Sequence, residues 1–436
     1  MLKDKKEVRE VFSYPLLKAM AHRRTRRFPL GCKMEEGTLK YASQNPPVPL
    51  NDIETAILCW AGTGITGTIA ADMPTNDVQG SMYTSWTGRT TPYACNVHNM
   101  KLFFTNDKGL FVYDPKKATK SVEIDTEEDW DRIQDYFKQD TVKISDGRFA
   151  MVPETLVRIV HWNTNKPGTT LFMPILEISE EYLDAVIAVF MGEGYKVFDD
   201  IKKTGPAGIK KWIDNGTLKG PDVPLSSMEY TIFLGNLAPP FHALQNIQLM
   251  AEAMGLGSII MTGYIGIVAL QSLGFRYNMA KEESGAMLGM NPVGLDGIFE
   301  SYQPPYYKTM NDAVDAFIER KFGSNGMYTP EYKGLVPFNK NWKKVQPGYA
   351  VPSKKVIQIT KDYCNYVFDT YGRFPATFDT IVMPEWLQVH HLEQEFYDKY
   401  GLDNLLNETH KKHMDLWHKG ANRVTAKPKK KGASLR

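Results

Sequence analysis

Two short apolar runs joined by a tight polar turn constrain this chain most. Residues 99–104 alternate and end in Phe103-Phe104, Asn106-Asp107-Lys108-Gly109 follows, and Leu110-Phe111-Val112-Tyr113 returns. Aromatic and β-branched residues on either side of such a turn predict a β-hairpin, which commits the chain to antiparallel sheet. Helical spacing elsewhere adds the second half of an α+β reading. Residues 8–22 have apolar helical spacing, interrupted by Pro15. Asn51 or Asp52 caps a helix through Ile53, Ala56, Ile57 and Trp60, with Glu54 in its first turn and Gly62, Gly64 and Gly67 at its end.

The remaining segments are read the same way. Residues 126–138 predict an acidic surface helix, and 178–192 an amphipathic helix opened by Ser179. Strand-like segments flank a turn at 163–168, and 196–229, rich in Gly, Pro and Lys, reads as a loop or lid. His242 to Met254 predicts a strong helix stopped by Gly255 and Gly257. Residues 257–273 read as a buried helix or a glycine-punctuated turn, and 290–297 as a short strand and turn. Past 330 this rhythm is lost. The expected organisation is a domain over 1–330, with an insertion at about 116–240, and a helical C-terminal extension over 331–436 that ends in a basic, disordered tail at Lys427–Lys431.

Composition excludes several classes. A net charge of +2 is too balanced for a nucleic-acid or membrane-surface protein. The charged start Met1-Leu2-Lys3-Asp4 lacks a signal peptide's apolar run, and no uninterrupted apolar stretch is long enough to span a bilayer. Cys32, Cys59, Cys95 and Cys364 form no CxxC pair and no disulfide framework, so a reducing cytoplasm is expected.

Arg23, Arg24 and Arg27 beside Thr25 put three guanidiniums and a hydroxyl within five residues, a donor set suited to a phosphate. A solvated basic helix end is the plainer alternative, though Phe28-Pro29 would anchor the cluster against the protein body. Three further segments follow in order: 47–67 (PVPLNDIETAILCWAGTGITG), 88–115 (GRTTPYACNVHNMKLFFTNDKGLFVYDP) and 243–264 (ALQNIQLMAEAMGLGSIIMTGY).

This ordered set resembles the nitroreductase superfamily of flavoproteins, and is nearest to the branch that holds azoline dehydrogenases of peptide natural-product pathways. The likeness spans about residues 15–115 and 240–300. It implies a mainly antiparallel sheet flanked by helices, a homodimer with FMN at the subunit interface, and a small-molecule substrate. Arg23, Arg24, Thr25 and Arg27 correspond to the family's Arg-Arg-Ser-x-Arg, which would hold the FMN phosphate and ribityl chain. Pro92, Tyr93 and Asn96 fall in the segment that lies against the flavin from the other subunit. Gly255, Leu256 and Gly257 match the turn whose backbone approaches the isoalloxazine edge. Tyr93 departs from the family's Ser, and Glu229-Tyr230 stands where the azoline branch has a Lys-Tyr pair. Arg276 is the nearest match to the family's late basic phosphate ligand.

The activity implied is that of an FMN-dependent oxidoreductase. It would pass hydride from NAD(P)H through flavin N5 to a nitro, quinone or enone-like acceptor by a ping-pong scheme. Tyr93, His98, Tyr230 and His242 are candidate proton donors, although the sequence singles out no catalytic residue. Rival readings are a flavin-dependent dehydrogenase or oxidase of one organic substrate, a non-catalytic flavin-binding protein, and a metal-dependent enzyme. The last rests on helical patterns at 386–400 and 408–419, which would bring His391 and Glu395 together with His410 and His413. Against it stands an ordinary aromatic-packed helical hairpin with solvent-facing histidines. Tyr302, Tyr306, Tyr307, Tyr328 and Tyr332 either wall a flat pocket or simply pack.

Overall fold

The hairpin forms the middle of the largest sheet. The computed structural model describes residues 1–69, 85–115, 123–150, 158–191, 194–262, 266–281, 289–329, 331–332, 341–345 and 351–421. The basic tail therefore lies outside the described residues. Strand β1 (Met100–Asn106) pairs with β2 (Gly109–Tyr113), placing Phe104 opposite Phe111 and Asn106 opposite Gly109. β2 pairs onward with β3 (Thr141–Asp146), and β1 pairs on its other side with β4 (Thr170–Glu177). Two more strands, β5 (Gly257–Met261) and β6 (Trp386–His390), continue the sheet beyond β4, with β6 inserted between β4 and β5. The order is β5-β6-β4-β1-β2-β3, and every neighbouring pair is antiparallel.

β6 changes the reading of the C-terminal region. The segment expected to be an appended extension supplies an interior strand of the sheet. The helix expected over 386–400 is this strand followed by a short helix, Gln394–Lys399. All five residues of β6 are buried, and so are all eight of β4. Strands covered on both faces lose the in–out alternation by which strands are recognised.

The main helices include α1 (Lys6–Phe12), α2 (Leu16–His22), α3 (Asp52–Thr63), α4 (Asp131–Asp140), α5 (Ser179–Met191), α6 (Leu225–Met254), α7 (Met310–Phe322), α8 (Lys354–Tyr371) and α9 (Glu408–Trp417). α3 and α6 cover one sheet face, where Ile57, Leu58, Leu244 and Ile247 meet Leu102, Phe104, Phe172 and Leu387. A side chain at Gly62 would lie 2.8 Å from the Ile247 Cδ1, so α3 can approach α6 only because glycine stands there. Phe103, Met173, Ile175 and Trp386 cover the opposite face, packed on Leu270, Phe275 and Phe299. Each fully buried side chain of this size contributes about 1.5–3 kcal/mol of transfer free energy.

A second core lies where α5, α7 and α8 meet, built from Tyr182, Val186, Phe317, Tyr363 and Val367. Several local expectations change here. Residues 196–229 are not a loop: they hold a three-stranded sheet (Lys196–Asp199, Gly205–Pro206, Asp222–Pro224) and the start of α6. α6 begins at Leu225 rather than His242 and passes through Pro239 and Pro240, both buried. Each proline removes an intrahelical donor, so packing rather than propensity holds the helix there. α5 is buried on nearly every side instead of amphipathic. Its acids are neutralised from α7: Glu180 takes Arg320 at 2.8 Å, and Asp184 takes Lys321. Residues 257–273 are β5 followed by a helix, Gly266–Ser272. No helix among the described residues is long and apolar enough to cross a membrane.

Candidate functional site

Two constellations meet at the C-terminal end of α6. The first begins where α2 stops. Residues 23–28 run beside α6 and β5, and the Arg26 N–H donates to the Ser258 carbonyl at 3.3 Å. The Arg23 Nη1 donates to the Gln248 Oε1 at 3.0 Å. Arg26, the variable position of the family pattern, is the arginine the fold buries. Its Nη1 donates to the Glu252 Oε2 at 2.6 Å and its Nε to the Leu405 carbonyl at 2.6 Å. Arg23, Arg24 and Thr25 are exposed. Arg27 is half-buried, and its Nε and Nη2 are sealed from solvent with no hydrogen-bond partner. A buried guanidinium with idle donors calls for an acceptor. Beside this segment opens a cleft of about 720 Å³ whose lining includes Lys33, Arg158, Trp162 and Lys166 together with Glu35 and Glu36. Its Trp162 packs on Phe28, ring centroids 5.3 Å apart, and Asn163 donates to the Arg27 carbonyl at 2.9 Å.

The Gly255-Leu256-Gly257 turn sits next to this segment, as its pattern suggested, but the chain itself fills it. The Gly255 N–H donates to the Glu252 carbonyl at 3.2 Å and the Leu256 N–H to the Ala251 carbonyl at 2.9 Å, closing α6. Gly255 has φ +85°, and a side chain there would lie 2.2 Å from the Thr409 carbonyl oxygen. At Gly257 it would meet Leu392 at 2.4 Å and His390 at 2.7 Å. These glycines are required by α9 and β6, and the Gly255 and Leu256 N–H groups are engaged within the chain.

The segment carrying Pro92, Tyr93 and Asn96 is held on another side of α6. The Asn246 Nδ2 donates to the Thr90 carbonyl at 2.9 Å, and the Thr91 hydroxyl to the Gly62 carbonyl at 2.6 Å. The Tyr93 hydroxyl lies 2.6 Å from that of Thr63, and burial pushes it up to about 12. Cys95, Asn96 and His98 have φ of +46°, +50° and +54°, a rare run of left-handed non-glycine residues. Asn96 holds His98 at 2.6 Å. Of the other proton-donor candidates, Tyr230 and His242 are exposed on α6. Arg276 pairs with Asp296 at 3.3 Å on an exposed strand. Four of the late tyrosines divide between two packing clusters, where Tyr302 stacks on Tyr307 and Tyr328 packs against Trp86 and Phe322 near Tyr332, while the Tyr306 hydroxyl donates to Asp296 at 3.0 Å.

The second constellation corrects the histidine set. Glu395 accepts from Asn45 at 3.0 Å, and the His410 Nδ1 lies 2.7 Å from the Asn407 Oδ1 at the start of α9. Neither joins His391 and His413. Instead Glu54 and His418 complete the group. The Nε2 atoms of His413, His418 and His391 lie 2.9, 3.0 and 3.3 Å from the Glu54 carboxylate. Glu54 is wholly buried. Its Oε2 also accepts the Asn51 N–H at 2.7 Å, the reciprocal half of the α3 capping box.

No family model matches this chain, and no curated protein matches it. Among solved structures, that of a candidate nitroreductase from Ralstonia eutropha JMP134 aligns with 60% of this chain and 77% of its own, at 10% identity and a TM-score of 0.27.

Proposed function

We propose that this chain is an FMN-dependent oxidoreductase whose phosphate subsite is the segment Arg23, Arg24, Thr25 and Arg27. The observation that carries the reading is Arg27, with two buried, unpartnered guanidinium nitrogens beside three exposed donors. A phosphate accepts from several such donors at once, with forked geometry from arginine. The adjoining cleft has the volume of a small-molecule site, and its lining mixes Lys33, Arg158 and Lys166 with Glu35 and Glu36. When bound, the flavin supplies hydride transfer; the chain's own part is to grip the anionic end and fix its orientation. The glycine turn contributes by placing the arginine segment and not by offering free N–H groups.

Two exposed apolar stripes support a homodimer. Leu16, Leu17 and Met20 on α2 are 65%, 80% and 56% exposed, and Tyr230 and Leu234 on α6 are 62% and 49% exposed. Exposed apolar stripes mark contact surfaces, and a second copy of this chain is the partner that the dimer reading assigns to them. NAD(P)H as donor and a nitro, quinone or enone acceptor follow from the sequence resemblance alone.

Fluorescence titration with FMN tests the proposal. Saturation at one FMN per chain is expected, and Arg27→Gln should weaken binding about tenfold, or roughly 1.4 kcal/mol, with an unchanged unfolding midpoint. Protein that remains colourless with excess FMN ends the reading. Anaerobic bleaching by NADPH separates a reductase from a substrate dehydrogenase, and a sedimentation mass of one chain would end the dimer.

A further inference from the structure

The ring tautomers around Glu54 do not suit a simple hydrogen-bonded cluster. The His391 Nδ1 lies 2.7 Å from the Val48 carbonyl oxygen, and the His413 Nδ1 lies 2.7 Å from that of Met254. A carbonyl only accepts, so both Nδ1 atoms carry hydrogen. In the neutral ring this leaves each Nε2 as a lone pair, and both face the Glu54 carboxylate, itself an acceptor. The His413 Nε2 is buried and makes no hydrogen bond, although it stands 2.9 Å from Glu54. Protonating both rings would place two cations with centroids 4.9 Å apart, and a third imidazole 4.5 Å from His391, in a closed pocket holding one carboxylate. A single cation among the four groups turns every one of these acceptor contacts into a bond.

We propose that Glu54, His391, His413 and His418 form a closed four-ligand site for a divalent transition-metal ion, zinc foremost. Their ligand atoms all lie within 4.8 Å of one another. Metal–ligand bonds of about 2.0–2.1 Å in a tetrahedron put ligand atoms about 3.3 Å apart, close to the 2.9–3.3 Å found between Glu54 and the three Nε2 atoms. Three imidazoles and one carboxylate are a borderline donor set suited to zinc. The outer contacts have the form such sites take: His391 and His413 each give the second ring N–H to a backbone carbonyl, and the Asn51 N–H orients the carboxylate.

Glu54, His391 and His413 are at most 3% exposed, and only the His418 side chain, at 13%, reaches the surface. Four protein ligands with no open position mark a structural site. It clamps the start of α3, the chain leaving β6, and the middle and C-terminal end of α9. This site is independent of the flavin reading, since none of its ligands belongs to the phosphate subsite.

The test uses the full chain, purified without a polyhistidine tag. Elemental analysis should find one transition-metal ion per chain. After chelation, Co²⁺ titration should give intense visible d–d bands that saturate at one equivalent and are displaced by Zn²⁺. His418→Ala, at the most accessible ligand, should lower Zn²⁺ affinity by at least about 100-fold, more than loss of an outer-shell partner. His418→Cys should restore tight binding and add a near-ultraviolet thiolate-to-cobalt band. Folded protein, judged by circular dichroism, that binds no stoichiometric metal and gives no cobalt spectrum overturns the site. So does stoichiometric binding that His418→Ala leaves unchanged.

Discussion

Two buried glutamates, Glu54 beneath the main sheet and Glu229 in the second core, are equally sealed from water yet surrounded in opposite ways. Glu229 is ringed by donors. The Tyr182 hydroxyl and the Ala376 N–H reach its Oε1 at 2.7 and 2.8 Å, and the N–H and hydroxyl of Thr377 reach its Oε2 at 2.8 and 2.5 Å. Every partner gives a hydrogen, and burial raises its carboxyl above the ordinary value. Glu54 has one backbone donor and three imidazoles, two of which turn lone pairs toward it. Burial alone therefore does not distinguish a structural carboxylate from a ligand. The direction in which the neighbouring hydrogens point does.

Glu229→Ala should have the largest effect. It strands four buried donors, each worth about 1–3 kcal/mol, so a loss on the order of 5 kcal/mol in urea unfolding is expected, equal with zinc or chelator. A loss that depends on zinc would erase the contrast. The wild type should gain about 4 kcal/mol from zinc at 1,000 times its dissociation constant, and Glu54→Gln should abolish that gain. Arg26→Ala probes a third arrangement, a buried glutamate answered by a cation. It leaves Glu252 without its partner at 2.6 Å and should cost about 3 kcal/mol; a cost below about 1 kcal/mol would mean that Glu252 simply takes up a proton.

Glu181 offers a pH signature. Burial, helped by Asp184, pushes its carboxyl up to about 8. The folded state then holds a proton that the unfolded state releases near pH 4.5, so stability declines as pH rises from about 4.5 to 8. Glu181→Gln should flatten this by on the order of 1 kcal/mol per pH unit, seen as thermal midpoints that converge with wild type in acid and exceed it at pH 8. Parallel curves would show that Glu181 is already ionised.

What the sequence disclosed was what is local. The hairpin at 100–113, the Asn51 cap with Glu54 at its third position, and the stop at Gly255 all lie within a few residues of their own signals. The start of α6 was hidden because Pro239-Pro240 mimics a boundary that packing overrides. β6 was hidden because burial on both faces removes its period. The Glu54 cluster joins residues 337 apart in the chain, and Glu54 by itself reads as an ordinary first-turn acid. Arg26 carries no mark that separates it from the three arginines beside it; only the position of Glu252 selects it.

The central place of β6 also governs how this protein comes off the ribosome. β4 exists once Glu177 has been made, but the strand that must lie along its open edge starts at Trp386. At about 5–20 residues per second, that edge waits on the order of ten seconds or more for its neighbour, longer than most chain segments need to collapse. Throughout that interval a largely apolar strand faces the cell with the hydrogen-bonding groups of one edge open, a template for wrong pairings. Expression at lower temperature, or with holdase chaperones in excess, should raise the yield of native protein more than any change to the surface of the finished molecule.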